Sequence, residues 1–248
     1  MRRRVAGSLA VLAAALAAFA AAATGADPVQ PSLTARPDFE VTPRKLPPAK
    51  PMPARLSVSM RYRYSDETQV PALKELRLEG DKHIGIDLGD VSPCRMSGSG
   101  VKEDHSDSCP GSVIGRGTIS VDMAFVGDEV IPLSAPLTVW FGSRKRGGAK
   151  LIAYAFLKAP VSAELVIPVE VGRLRGGRIG WEATAAIPKI AGGFGSVTDF
   201  KLTIGRRLLS ATCSGYFKFR AVSTFADGTR LGEGFVRPCA VAEPDVRQ

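Results

Sequence analysis

The chain has 248 residues, with 33 Lys and Arg against 24 Asp and Glu and a formal net charge of +9. A chain of this length can bury a continuous apolar core, so its four cysteines would reinforce the fold rather than replace a core. Neither apparent cysteine pair has CxxC spacing, which argues against a zinc site and against a redox-exchange site.

The first 26 residues have the parts of a secretory signal peptide. An arginine triplet at positions 2–4 precedes an uncharged run from Val5 to Ala23, and small residues follow up to Ala26. We therefore predict export, with cleavage after Ala26 or else after Ala23. Removal of residues 1–26 leaves 30 basic residues against 24 acidic ones. Because no later segment is apolar enough to span a bilayer, we expect membrane attachment only through an uncleaved signal.

Residues 27–53 contain eight prolines. Proline lacks an amide donor and fixes φ, so we predict that this segment is a disordered spacer that forms neither helix nor sheet. The folded domain is then predicted at residues 54–240, followed by a flexible tail at residues 241–248.

Apolar and polar residues alternate along most of the remaining chain, which is typical of half-buried strands. The first alternating run covers residues 54–64, and Gly or Pro lies in nearly every gap between later runs. Those later runs cover residues 73–78, 83–88, 117–126, 136–141, 150–157, 163–171, 178–186, 199–205, 215–225 and 229–239. About ten or eleven short strands predict an all-β fold. We expect a disulfide-stapled antiparallel β-sandwich, immunoglobulin-like or jelly-roll-like, with a partly open β-barrel as the alternative.

The cysteines are predicted to form two disulfides. Asp227-Gly228 between two alternating runs indicates a hairpin, and Cys213 and Cys239 bracket it. Cys94 and Cys109 bracket a polar loop. Local pairing fits both positions, while a crossed pairing between the two regions stays open.

Several motifs follow one another in a particular order between residues 82 and 239. They are Pro93-Cys94, Cys109-Pro110 with Ile114-Gly115-Arg116-Gly117-Thr118, Cys213-Ser214-Gly215-Tyr216-Phe217-Lys218-Phe219, Phe225-Ala226-Asp227-Gly228 and Pro238-Cys239. In this order and spacing they resemble a family of secreted, four-cysteine, β-rich proteins of soil actinobacteria. The chain departs from the family in having Tyr216 where tryptophan is expected, and in a slightly shorter segment after Cys109. The resemblance implies a secreted β-rich domain and carries no activity.

The loop between Cys94 and Cys109 contains candidate metal ligands. They are Glu103, Asp104 and Asp107, and carboxylate oxygens are the ligands that calcium prefers. The regular spacing and the bend glycine of an EF-hand are absent, so we expect a solvated acidic turn and assign no metal.

Residues for common catalytic sites are sparse. The chain has two histidines, His83 and His105, and no GxSxG elbow, which disfavours a Ser/His/Asp hydrolase. Its two tryptophans lie in predicted strands; we expect Trp140 in the core and leave Trp181 open. Paired carboxylates in a cleft would suit a glycosidase, but we expect the strand carboxylates on wet sheet faces. These are Glu164, Glu170, Glu182 and Asp199.

Basic residues gather in predicted turns. If these turns lie at one end of the domain, they would form a binding patch for an anionic cell-envelope polymer or a glycan, whereas a merely solvated basic surface is the plainer interpretation. Interleaved aromatic residues, which single-stranded nucleic acid requires, are lacking. The residues are Arg144, Lys145, Arg146, Arg173, Arg175 and Arg178, with Arg206-Arg207 in a further turn.

These features together predict a secreted or cell-envelope-associated module whose role is binding or structural rather than enzymatic. We expect no cofactor and no nucleic-acid partner, and the oligomeric state is open. The alternative function is a hydrolase that acts on polysaccharide and is built on a jelly-roll scaffold.

Overall fold

The computed structural model describes residues 32–95, 104–124, 130–158, 162–205 and 208–242. Within these ranges the chain forms β-strands, turns and two one-turn 3₁₀ helices, Pro110–Ser112 and Ala191–Gly193, which confirms the all-β class. The strands are β1 (Leu33–Thr42), β2 (Lys45–Leu46), β3 (Met52–Pro53), β4 (Arg55–Tyr64), β5 (Leu73–Asp81), β6 (Ile84–Ile86), β7 (Val113–Ala124), β8 (Val130–Lys145), β9 (Gly148–Leu157), β10 (Ala163–Arg173), β11 (Ile179–Ala186), β12 (Gly195–Ile204), β13 (Leu209–Ala211), β14 (Tyr216–Phe225), β15 (Arg230–Pro238) and β16 (Ala240–Val241).

Eleven strands form one antiparallel sheet in the order β1-β4-β12-β7-β8-β9-β10-β11-β5-β14-β15. The sheet curls until its two edge strands, β1 and β15, approach each other, so that it nearly closes into a barrel. The Nε of Arg237 in β15 donates a hydrogen bond of 3.2 Å to the carbonyl oxygen of Phe39 in β1. This architecture fits the sandwich or partly open barrel that the alternation predicts.

Aromatic side chains fill the seam between the two edge strands. The ring of Phe39 is fully buried, and its centroid lies 4.6 Å from that of Phe219 and 5.4 Å from that of Phe235. Nearby, the hydroxyl groups of Tyr62 in β4 and Ser223 in β14 share a buried hydrogen bond of 2.7 Å. Burial raises the pKa of the Tyr62 phenol well above its ordinary value. Side-chain packing therefore closes the barrel where the backbone ladder stops.

The prediction of a disordered spacer is wrong for the proline-rich segment from residue 33 onwards. Strand β1 pairs with β4 along its whole length, from Leu33 opposite Tyr64 to Thr42 opposite Arg55. An edge strand tolerates Pro37 because one side of its backbone has no ladder partner. Residues 27–31 lie outside the described ranges.

The predicted tail also begins too early, since the backbone amide of Ala242 still donates a hydrogen bond of 2.8 Å to the carbonyl oxygen of Leu46. Val241 belongs to β16, which pairs in parallel with β2 so that Val241 lies opposite Leu46.

The folded domain starts about twenty residues before its predicted beginning. Strand β1 supplies one edge of the barrel, and β2 is the partner of the C-terminal strand.

The Cys213–Cys239 disulfide lies just beyond the Tyr216–Pro238 end of the β14–β15 pair, and we call this end of the barrel the stapled end. Cys94 joins Cys109 and Cys213 joins Cys239, with Cα atoms 5.6 and 5.9 Å apart. The local pairing is thereby confirmed over the crossed one. The turns β8–β9 and β10–β11 lie at the same end, because both follow strands that run in that direction.

The environment suggested by the disulfides is oxidising and extracellular. Among the described residues, no helix has the length and apolar character needed to cross a bilayer. The predicted signal peptide, Glu103 and Arg206-Arg207 lie outside the described ranges.

The replacement Phe39→Ala tests whether β1 belongs to the folded barrel. It removes a fully buried ring, so we expect the free energy of unfolding to fall by about 3–5 kcal/mol. Val236→Ala is the control, because Val236 is 53 % exposed on the neighbouring edge strand and its loss should cost less than about 0.5 kcal/mol. Urea unfolding followed by circular dichroism measures both. A Phe39→Ala protein as stable as the control would contradict the role of β1.

Candidate functional site

A cavity of about 150 Å³ lies inside the barrel. Its walls come from β4, β5 and the neighbouring strands β7 to β12, with β6 and β13 contributing at the stapled end. Every lining side chain is aliphatic or aromatic. In another protein, an engineered cavity of about this volume with a similar lining stays dry and binds benzene or xenon. The interior thus has the size and chemistry of a site for a small apolar molecule.

The cavity exists because the barrel interior is packed unevenly. Large aromatic rings occupy the seam, whereas Ala153, Ala183 and Ala185 are among the residues that line the cavity on the other side. Beside these alanines, the larger aliphatic side chains that make up most of the lining leave part of the interior unfilled. Sequence alternation identified the inward-facing positions but not the volume left between them.

Trp181 forms part of the cavity wall and resolves the question that the sequence left open. Its side chain is 6 % exposed, and Gly80 on β5 makes room for it, because a Cβ atom on Gly80 would lie 2.0 Å from Cζ2 of the indole. The indole Nε1 is buried and has no hydrogen-bond partner among the described residues. A buried donor without an acceptor is costly, and this nitrogen is the one polar side-chain atom among the lining residues.

A buried carboxylate organises the stapled end. Asp81, the last residue of β5, is fully buried and accepts hydrogen bonds from Nε of Arg178 at 2.6 Å and from the backbone amide of Lys218 at 2.9 Å. It also accepts the backbone amide of His83 at 3.0 Å, and Nδ1 of His83 lies 2.7 Å from its Oδ1. Burial opposes the charged form, but these hydrogen bonds outweigh it and lower the pKa of Asp81.

The Asp81 cluster connects three parts of the chain. Arg178 donates through Nη2 to the hydroxyl of Ser214 at 2.7 Å and to the carbonyl oxygen of Tyr216, and its guanidinium lies 4.3 Å from the Tyr216 ring centroid. The β10–β11 turn is thereby tied to the end of β5 and to the start of β14. His83 belongs to this cluster, as expected of a structural histidine.

The two basic turns are neighbours in the structure. The backbone amide of Arg173 donates to the carbonyl oxygen of Gly147 at 3.0 Å, which places the β10–β11 turn beside the β8–β9 turn. All six basic residues predicted from the sequence therefore lie at the stapled end. They divide into a group that is bound within the protein and a group that is not.

Arg144, Lys145 and Arg178 form the bound group. Arg144 Nη2 donates to the carbonyl oxygens of Leu88 and Gly89 at 2.9 and 2.7 Å. Lys145 Nζ lies 2.6 Å from Oε2 of Glu170, and Arg178 is held by Asp81. These three cations stabilise the fold and are not free for a ligand.

Arg146, Arg173 and Arg175 form the second group, which we call the free arginines. Their side chains are exposed and have no hydrogen-bond or ion-pair partner within the described part of the chain. Three positive charges without counter-charges on two adjacent turns attract anions.

The first disulfide and the described end of its loop, residues 104–109, pack on a second, smaller apolar cluster on the outer face of the sheet. Trp140 and Tyr154 are buried there beside Cys94, with ring centroids 5.1 Å apart. The backbone amide of His105 donates to the Tyr154 hydroxyl at 2.8 Å, which ties the segment before Cys109 to this cluster. Core packing is confirmed for Trp140, although outside the barrel interior.

The candidate metal ligands do not form a site in the described structure. Asp104 Oδ1 accepts the backbone amide of Ser106 at 3.0 Å, an arrangement typical of a turn. Glu103 lies outside the described residues. Among the residues described, no three His, Cys, Asp or Glu side chains are grouped to hold a metal ion.

The four strand carboxylates lie apart from the cavity. Glu170 forms ion pairs with Lys145 and Lys150, at 2.6 and 3.9 Å. Ion pairs also hold Glu182 to Arg77 at 3.4 Å and Asp199 to Arg61 at 3.0 Å, while Oε1 of Glu164 is buried without a hydrogen-bond partner. None of the four contributes to the cavity lining, so the described interior has no carboxylate pair for glycoside hydrolysis.

The Asp81→Asn replacement should show how far the stapled end depends on this carboxylate. Because the folded-state pKa of Asp81 is lowered, its charge stabilises the fold above the unfolded-state pKa of about 3.9, and this contribution is lost as the pH falls through the folded-state pKa. We expect a loss of about 3 kcal/mol at pH 7 and a smaller difference from wild type below about pH 4. Urea unfolding across this pH range, with exposed Asp90→Asn as control, measures it. An equal difference at both pH values would refute the assignment.

The chain matches no family model, no curated protein and no solved structure. The resemblance to secreted proteins of soil actinobacteria therefore stays a prediction. The cavity and the charges at the stapled end are the two features of the molecule that bear on its function.

Proposed function

We propose that the protein is an exported binding module, secreted or associated with the cell envelope, that holds a small apolar group inside its barrel. The observation that carries this proposal is the wholly apolar cavity of about 150 Å³. A binding role for such a cavity is supported by its chemistry, because small-molecule sites are concave and lined mainly by hydrophobic side chains. The two disulfides and the signal-like N-terminus support export.

The cost of leaving the cavity empty also supports a binding role. At about 24 cal/mol per Å³, a void of this size costs roughly 3 to 4 kcal/mol, a large share of the ~5 to 15 kcal/mol by which domains are stable. A ligand that recovered most of this energy would bind with a dissociation constant on the order of 1 mM. A biologically useful affinity thus requires contacts beyond the cavity.

The hydrolase alternative receives less support from the described residues. Its carboxylates lie on the outer face of the barrel, where Glu170, Glu182 and Asp199 are neutralised by basic neighbours. A binding module needs no such pair, so the geometry favours binding over hydrolysis.

A second candidate function is the binding of an anionic cell-envelope polymer or a glycan at the outer surface. The free arginines favour it, because they present unneutralised charge on adjacent turns. This function would use the stapled end without the cavity.

Benzene is a suitable first probe of the cavity. The two tryptophans give separate indole N–H signals in a ¹⁵N-labelled protein, and Trp140→Phe assigns them. We expect benzene to shift the Trp181 signal in a saturable way, because Trp181 lines the cavity, and to leave the Trp140 signal unchanged. The unaffected indole serves as an internal control.

Cavity-filling variants make this test specific. Ala183→Leu with Ala185→Leu places larger side chains in the space, and it should abolish the saturable shift. Ala186→Leu is the matched control, because Ala186 is exposed on the same strand and does not line the cavity. If benzene leaves the Trp181 signal of the folded wild-type protein unchanged, the cavity does not bind and the proposal is wrong.

A further inference from the structure

The cavity extends to the stapled end, where the basic turns lie. Its lining includes Leu88, whose carbonyl oxygen accepts a hydrogen bond from Arg144, and Val171, which lies two residues before Arg173 on β10. Both lining residues are half-buried. The cavity lining thus reaches the segments that carry or contact the basic turns.

Positive charges are in excess at this end, so it attracts anions. The two turns carry six cations, of which Lys145 is neutralised by Glu170 and Arg178 by Asp81. Arg144 is held by carbonyl oxygens, so its charge persists beside Leu88. Asp87 and Asp90 lie on the facing segment after β6, and Asp87 accepts the backbone amide of Gly89 at 2.8 Å. The free arginines still have no carboxylate partner among the described residues.

The apolar cavity suits the apolar part of a ligand. The basic turns at the stapled end, which we call the rim, suit an anionic part of the same ligand. An apolar group in the cavity contributes an affinity on the order of 1 mM, and guanidinium groups at the rim add charge-assisted hydrogen bonds to a head group. Because exposed ion pairs contribute little individually, the three free arginines together should improve affinity by about tenfold.

We infer that the ligand is an amphiphile with a short apolar part in the cavity and an anionic head group, a carboxylate or a phosphate, held by Arg146, Arg173 and Arg175. This inference rests on the proposed binding function and adds the chemical class and the orientation of the ligand. It also assigns different tasks to the six basic residues: Arg144, Lys145 and Arg178 hold the turns in place, and the free arginines recognise the head group.

Three probes of equal chain length test the inference, namely hexanol, hexanoate and hexyl phosphate. The Trp181 indole signal of the mature protein reports binding of each. At low ionic strength we expect at least one anion to bind about tenfold more tightly than hexanol, with an advantage that shrinks as salt is added. Comparison of hexanoate with hexyl phosphate identifies the preferred head group.

Charge variants locate the head group. Arg146→Gln with Arg173→Gln and Arg175→Gln should remove the advantage of the anion and leave the affinity for hexanol unchanged. The matched control removes the same charge from exposed positions elsewhere, through Lys189→Gln, Arg220→Gln and Arg230→Gln, and should keep the advantage. Because all six side chains are exposed, thermal melts should show that both variants remain folded.

The outcomes separate this inference from the proposed function. Equal affinities for hexanol and both anions, or an advantage that survives in the free-arginine variant, would overturn the inference and leave apolar binding intact. No Trp181 response to any probe would overturn both. Binding of polyphosphate that depends on the free arginines, with anions no tighter than hexanol in the cavity, would overturn the amphiphile in favour of an anionic polymer.

Discussion

Closure of the sheet at its aromatic seam is the constraint on which the rest of the structure depends. An antiparallel sheet with one apolar face must bury that face, and here the sheet does so by curling onto itself. The edge strands β1 and β15 meet through Phe39, Phe219 and Phe235 rather than through a backbone ladder. None of these three rings lines the cavity, which lies among mainly aliphatic side chains of the other strands. Packing at the seam thus closes the barrel, and space remains on the other side of the interior.

The stapled end is organised by charge, in contrast to the seam. Buried Asp81 would be unfavourable without partners, and Arg178 with the amides of His83 and Lys218 keeps it ionised. Holding Arg178 against β5 also fixes the β10–β11 turn, which presents Arg173 and Arg175 to solvent. A structural ion pair therefore positions the exposed cations whose charges remain available, and the arrangement of the rim follows from the burial of one carboxylate.

The sequence allowed the strands and the disulfides to be predicted, because both depend on local patterns. No knowledge of distant residues is needed to recognise the alternation along β4 or the Asp227-Gly228 turn. The same holds for the two cysteine pairs, whose members are close in the sequence. The sequence does not predict the strand in the proline-rich segment. The cost of Pro37 depends on whether its strand lies at an edge of the sheet, and only the sheet order shows this. The candidate site can be predicted from the sequence only in part. The basic turns stand out in the sequence, but whether Arg144 and Arg178 are free depends on Leu88 and Asp81, which are distant in the chain. The cavity could not be predicted, because its volume arises from side chains on many strands.

Two features make this cavity costly to the folded protein. Protein interiors are close-packed, and enlarging Ala153, Ala183 or Ala185 would fill much of the space at little chemical cost, yet all three positions carry small side chains. In addition, the wall contains the unpaired indole N–H of Trp181, a polar group for which the surrounding aliphatic lining offers no acceptor. The chain therefore bears two costs in the same place, lost packing and an unsatisfied donor, and an apolar molecule in the cavity would relieve the first of them.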